Sequence, residues 1–119
     1  MANSSESPAN KPNLNMQRRT VPRYSFIATA EIIEPVSGVR MSGRISEISR
    51  KGCYVDILNG LPKDTPIRVL ILRDQGAFTS AGKIIYVHEQ MGVGVVFVDP
   101  PADQAETLEK WLTELSASE

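Results

Sequence analysis

The chain has 119 residues, 41% hydrophobic and 23% charged, which are the proportions of an ordinary globular domain. Its length fits one compact domain, and its formal net charge of −1 gives no global field to attract nucleic acid or an anionic membrane. The single cysteine, Cys53, excludes an internal disulfide, and with the single histidine, His88, it leaves no histidine–cysteine metal site. Without a signal-like apolar start or a membrane-length apolar run, we expect a cytoplasmic protein with no membrane insertion.

Residues 1–16 are rich in Ser, Asn and Pro and contain few large apolar side chains, which predicts a disordered tail. Three arginines, Arg18, Arg19 and Arg23, follow in a segment that we expect to form a loop over 17–23, because Pro22 biases Val21 away from helical geometry. Guanidinium groups bind phosphate bidentately and also bind the O6/N7 edge of guanine. The loop therefore suggests an anionic ligand; a solvated basic run at a domain edge is the alternative.

Six β-strands are predicted after this loop. Residues 24–33 and 39–48 alternate apolar and polar side chains, and shorter β-rich segments follow at 53–58, 67–72, 78–87 and 93–98. Short links favour antiparallel neighbours, and closure removes exposed strand edges. The sequence therefore predicts an all-β fold, a small six-stranded antiparallel β-barrel that forms a single domain over residues 17–116.

The hydrophobic period changes after Pro101. Apolar residues recur at helical spacing, and Asp103 is placed to cap, which predicts an amphipathic helix over 103–115. Its apolar stripe consists of Leu108, Trp111, Leu112 and Leu115. We expect this stripe to cover one opening of the barrel.

A second group of polar residues lies between the second and third predicted strands. Glu47, Ser49 and Gly52 surround one turn. A carboxylate can accept hydrogen bonds from guanine, a serine hydroxyl can bind a phosphate or a base edge, and glycine allows close backbone approach. An ordinary strand-to-strand turn with Glu47 as an exposed strand position is the alternative.

Together, Arg19-x-x-x-Arg23 and Glu47-x-Ser49-x-x-Gly52 resemble the motifs RxxxR and [D/N]xSxxG of the PilZ domain family. The resemblance extends to residues 92–97, which are similar to the family's late glycine-containing strand, and to residues 85–86, Ile-Tyr where members often carry Val-Trp. It covers roughly residues 16–115. The glycines of 92–97 do not predict a dinucleotide-binding fingerprint, because no helix follows them.

The resemblance implies a receptor for cyclic di-GMP, a bacterial second messenger with two guanines and two phosphates. Arg19 and Arg23 would grip phosphate and guanine edges, and Glu47 and Ser49 would receive a guanine beside Gly52. An arginine at the position of Arg18 implies contact with a base and, in this family, an intercalated ligand pair. The arginine loop is expected to become ordered on binding.

One position departs from the family pattern. Glu47 stands where the family prefers Asp or Asn, and its extra methylene is expected to weaken the guanine contact by ~1.5–3 kcal/mol. The predicted function is therefore a single-domain cyclic di-GMP receptor that signals through an unidentified protein partner. The alternative is a degenerate interaction module that binds the nucleotide weakly or not at all.

Other classes of function are disfavoured. No nucleophile and base are brought together by the sequence, and no phosphate-cradling Gly-Lys-Ser/Thr loop is present, so we predict no enzyme activity. Seven aromatic residues and a negative net charge argue against binding single-stranded nucleic acid. We expect no metal, no cofactor beyond the ligand, and a monomer or weak dimer, with motility or biofilm control as the family-level roles.

Overall fold

The computed structural model describes residues 21–74 and 76–117. The predicted tail of 1–16 and the site residues Arg18 and Arg19 lie outside this part of the chain. The elements are β1 (Arg23–Ile33), β2 (Arg40–Ser49), β3 (Gly52–Asp56), β4 (Pro66–Arg73), β5 (Gly76–His88), β6 (Gly92–Val98) and α1 (Ala102–Ala117). The predicted six-stranded barrel with a terminal helix is confirmed, with strand ends that differ by at most two residues from the sequence-based bounds.

The sheet is a closed barrel in the order β1-β2-β3-β6-β5-β4, and every neighbouring pair is antiparallel. Closure requires β3 to pair with β6 and β1 to pair with β4, which are not consecutive along the chain. Closure leaves neither edge of the sheet unpaired.

Strict alternation of buried and exposed residues fails at the end of β2. Ile45 and Ile48 are both fully buried although they are three residues apart, because the β2–β3 register shifts between Ile45 and Glu47. A β-bulge inserts one extra residue and so changes which face the following side chains occupy. At the other end, Val39 precedes β2 and is exposed, although the sequence pattern assigned it to an apolar face.

The barrel interior is filled by aliphatic and aromatic side chains, and α1 covers one opening. Leu108, Trp111 and Leu112 of α1 are buried, and the Trp111 ring centroid lies 5.6 Å from Phe26 and 6.5 Å from Phe78. The predicted packing of the helix stripe is thus confirmed. The helix begins at Ala102, so Asp103 lies in its first turn rather than at the cap position that the sequence suggested.

Two further properties concern the described residues as a whole. Over 21–74 and 76–117, no helix combines the length and the apolar character needed to cross a bilayer. The same residues contain no cluster of three or more His, Cys, Asp or Glu side chains that could hold a metal ion.

Candidate functional site

A shallow cleft lies on the outer surface of the barrel where β1 begins, β2 ends and β3 begins. Its volume is about 120 Å³, below the ~300–1,000 Å³ of typical ligand pockets. A ligand larger than a single ring would therefore extend beyond it. The lining residues are Arg23, Glu47, Ile48, Ser49, Lys51, Gly52, Cys53, Tyr54, Ile85, Tyr86, Gly94, Val95 and Val96.

The turn over residues 49–52 forms one side of the cleft, and Ser49 holds it together. The Ser49 hydroxyl accepts hydrogen bonds from the backbone N–H groups of Lys51 and Gly52, both at 3.2 Å, and it donates to the Gly52 carbonyl at 3.3 Å. Serine commonly stabilises turns in this way. Ser49 is only 7% exposed, and its hydroxyl is bonded within the turn, so it stabilises the shape of the turn.

Gly52 is required by the close approach of β3 and β6. A Cβ atom at this position would collide with the carbonyl oxygen of Val95 on β6. The Phe97 N–H also donates to the Lys51 carbonyl at 2.8 Å, which fastens the turn to β6. The serine and glycine of the predicted motif therefore build a rigid turn, as their alternative interpretation proposed, and this turn forms part of the cleft wall.

Arg23 and Glu47 meet across the β1–β2 pair. Arg23 Nε lies 3.3 Å from Glu47 Oε1, with the side chains 34% and 40% exposed. An exposed pair of this kind contributes ~0–1 kcal/mol to folding. Its low cost of rearrangement leaves both groups available to a ligand. The structure thus brings together Arg23, Glu47, Ser49 and Gly52.

Aromatic residues extend the cleft along β3, β6 and β5. Tyr54 and Tyr86 both pair with Gly94, from opposite sides, and their ring centroids are 6.1 Å apart. A Cβ at Gly94 would overlap the Tyr86 ring, so glycine makes room for the aromatic side chain. His88 completes the cluster, with Nδ1 3.0 Å from the Tyr54 hydroxyl.

The Tyr54 hydroxyl has a pKa above its ordinary value, first because of burial and then because of the nearby Tyr86 and Asp56 charges. It therefore remains neutral at physiological pH. Lys51, Tyr54 and Tyr86 also line the cleft but are not among the site residues predicted from the sequence. Outward-facing aromatics opposite glycines are the signal for the tyrosines, but that signal appears only once the β3–β6–β5 order is known.

The same turn also contacts the terminal helix through Arg50. Arg50 Nε lies 2.9 Å from Glu109 Oε2 on α1. Arg50 and Glu109 both line a second depression, together with Val21 and Pro22 at the beginning of the described chain. Residues 49–52 therefore lie between the cleft and the helix.

The family comparison agrees with this architecture. A model of the PilZ domain matches residues 17–114. No curated protein matches the sequence significantly.

Solved structures share the fold at low sequence identity. The PilZ domain of Escherichia coli YcgR with c-di-GMP has a TM-score of 0.71 at 14% identity, over 86% of this chain and 94% of that one. The Klebsiella pneumonia MrkH–c-di-GMP complex has a TM-score of 0.73 at 18% identity, over 86% of this chain and 53% of that one. The Bacillus subtilis inhibitor of motility MotI/DgrA has a TM-score of 0.71 at 16% identity, over 87% of this chain and 53% of that one. This chain therefore spans about half the length of the last two proteins.

Proposed function

The chain belongs to the PilZ domain family, and from this membership we propose that it is a bacterial receptor for cyclic di-GMP. One observation supports the proposal most directly: Arg23, Glu47, Ser49 and Gly52, from two separate sequence motifs, line a single cleft. Two of the similar structures, those of YcgR and MrkH, were determined with c-di-GMP. The ligand offers two phosphates and two guanines, which arginine and carboxylate groups can both bind.

In the proposed complex, Arg23 donates to a phosphate or to a guanine edge and Glu47 accepts from the guanine N–H groups. These two side chains now bind each other, so the ligand exchanges one ion pair for new contacts. Arg19, the other arginine of the RxxxR motif, binds the ligand together with Arg23, and Arg18 contacts a base. Because the cleft is small, we infer that the segment carrying Arg18 and Arg19 covers the part of the ligand that projects from it.

Glu47 determines the affinity of the proposed site. Its carboxylate is one methylene farther from the backbone than that of aspartate, and it is paired with Arg23 before any ligand arrives. A misplaced charge-assisted hydrogen bond costs ~1.5–3 kcal/mol, which is about ten- to a hundredfold in affinity. The Arg23–Glu47 pair thus favours one second candidate, an interaction module of the same fold in which cyclic di-GMP binds weakly or not at all.

Signalling in this proposal passes to a protein partner, in the cytoplasm and without catalysis. The 49–52 turn contacts both the cleft and, through Arg50 and Glu109, helix α1. A ligand that reorganises the turn would alter the surface around α1, which another protein could recognise. Control of motility or biofilm formation is the output class we propose, with the receptor a monomer or weak dimer.

Calorimetric titration of the purified protein with cyclic di-GMP tests the proposal. We expect binding by the wild type, a loss of about tenfold or more for Arg19→Ala and Arg23→Ala, and a gain for Glu47→Asp. Arg68→Ala is the matched control, because Arg68 is an exposed arginine on β4 that does not line the cleft. Absence of both heat and thermal stabilisation at high ligand concentration would reject the receptor function.

The stoichiometry of the same titration tests Arg18. Two nucleotides per chain, reduced to one by Arg18→Ala, are expected for an intercalated pair. One nucleotide per wild-type chain would contradict that role.

The division into a tail of 1–16 and a domain of 17–116 is part of the proposal. Deleting residues 1–16 is expected to leave the melting temperature and the affinity unchanged. A weaker affinity after this deletion would assign the tail to the binding unit.

A further inference from the structure

The charges that line the cleft do not balance. Its described lining contains two cations, Arg23 and Lys51, and one anion, Glu47. Arg23 and Glu47 form an ion pair with each other at 3.3 Å. Within the described chain, Lys51 forms no ion pair, so it is the cation of the cleft without a carboxylate partner.

The position of Lys51 is fixed although its side chain is exposed. Its backbone N–H donates to the Ser49 hydroxyl at 3.2 Å, and its carbonyl accepts from the Phe97 N–H at 2.8 Å. These bonds hold the root of the side chain at the edge of the cleft. The flexible four-carbon stem then carries the ammonium group to a ligand as a mobile point charge.

The neighbouring basic residue, Arg50, does not line the cleft. Arg50 is bound to Glu109 of α1 at 2.9 Å and lines the depression beside the helix. The two basic residues of the turn therefore serve different surfaces, Arg50 the helix and Lys51 the cleft.

We propose that Lys51 is a further ligand-binding residue that contacts a phosphate of cyclic di-GMP. This inference rests on the proposed function and goes beyond the two sequence motifs, neither of which specifies the residue at this position. Phosphate is the expected partner because a lysine ammonium binds it as a point charge, and the phosphates carry the negative charge of the ligand. The phosphate replaces water around an exposed cation and breaks none of the ion pairs that the described residues form.

Calorimetric titrations of Lys51→Gln and Lys51→Arg, at about 50 mM and about 200 mM salt, test this assignment. At the lower salt concentration, Lys51→Gln should bind about five- to tenfold more weakly than wild type, and the deficit should shrink as salt screens the charge. Lys51→Arg should stay within about twofold, since it retains the charge. Lys110→Gln, which removes an exposed lysine of α1, is the charge-matched control and should match the wild type.

Each other outcome overturns the assignment. If the wild type binds and Lys51→Gln matches Lys110→Gln, the receptor function stands and the role of Lys51 is rejected. A deficit that is independent of salt, or that Lys51→Arg does not rescue, rejects a charge contact with phosphate. If the wild type does not bind, the proposed function fails first and the Lys51 contact fails with it. Unchanged thermal unfolding of the variants will show that these differences are not due to misfolding.

Discussion

The barrel opening beneath α1 and the cleft beside the 49–52 turn are built from different kinds of residue. Beneath α1, Phe26, Phe78 and Trp111 pack within a continuous apolar core. In the cleft, a half-exposed ion pair, a lysine with no carboxylate partner among residues 21–74 and 76–117, and two tyrosines lie on the outer surface of the sheet. Burial of apolar side chains therefore holds this fold together, whereas the half-exposed ion pair of the cleft adds little to stability and can exchange partners at low cost.

The largest change in the free energy of unfolding is expected for a residue of the apolar core beneath α1. Trp111→Ala removes a side chain that is 5% exposed and should lower the free energy of unfolding by about 3–5 kcal/mol, measured by denaturant titration. Thr113→Ala, an exposed position on the same helix, should change it by less than ~0.5 kcal/mol. Similar values for the two variants would show that α1 does not depend on this core.

Gly52→Ala should affect both stability and the cleft, because Gly52 lines the cleft and also allows β3 and β6 to pack closely. The new methyl group would meet the Val95 carbonyl, and we expect a loss of about 3 kcal/mol in the free energy of unfolding. Cyclic di-GMP affinity should fall as well, since the turn must move. A variant with wild-type stability would mean that β3 and β6 separate easily at this end.

Cys53 is buried and lines the cleft, so the titration and reactivity of its thiol report whether water reaches it from the cleft. Burial raises the pKa of its thiol from 9.0 to about 12. The folded state therefore keeps a proton that the unfolded state releases above pH 9. The stabilising difference is complete below pH 9 and is lost as pH rises toward 12, by up to about 1.4 kcal/mol per unit.

Denaturant titrations of wild type and Cys53→Ala between pH 8 and pH 10 should reveal this difference, because the variant lacks the titrating thiol. The native thiol should also react slowly with alkylating reagents at neutral pH. Equal pH dependence of the two proteins, or fast alkylation of the native thiol, would show that water reaches Cys53 through the cleft.

The smallest effect is expected for the link between the two regions. Arg50 and Glu109 are 67% and 52% exposed, so a double-mutant cycle of Arg50→Gln and Glu109→Gln should give a coupling of about 0.2–1 kcal/mol in the free energy of unfolding. The same cycle in the presence of cyclic di-GMP compares the Arg50–Glu109 coupling with and without ligand. A changed coupling would show that the ligand reaches α1 through the turn, and an unchanged one would argue against that route.

Much of the fold followed from local pattern. Alternation over residues 24–33 placed Phe26, Ala28, Ala30 and Ile32 inside, as the structure has them, because a regular strand exposes every second side chain. Helical spacing identified the buried face of α1, because residues three and four positions apart lie on the same side of a helix. The bulge near Ile45 was not predicted, because the three-residue spacing of Ile45 and Ile48 that it causes does not by itself distinguish a bulge from the end of a strand.

For the candidate site, the residue types could be identified from the sequence: arginines before the first strand, and a carboxylate, a serine and a glycine in one turn. These could be recognised because the motif residues lie a few positions apart. The fold was needed to show that Arg23 binds Glu47, that Lys51 lines the cleft while Arg50 contacts α1, and that Tyr54 and Tyr86 flank Gly94. Those relations join residues that are distant in the chain. They depend on the β1–β2 register, on the contact of the 49–52 turn with α1 and on the β3–β6 pairing of the closed barrel, none of which local spacing specifies.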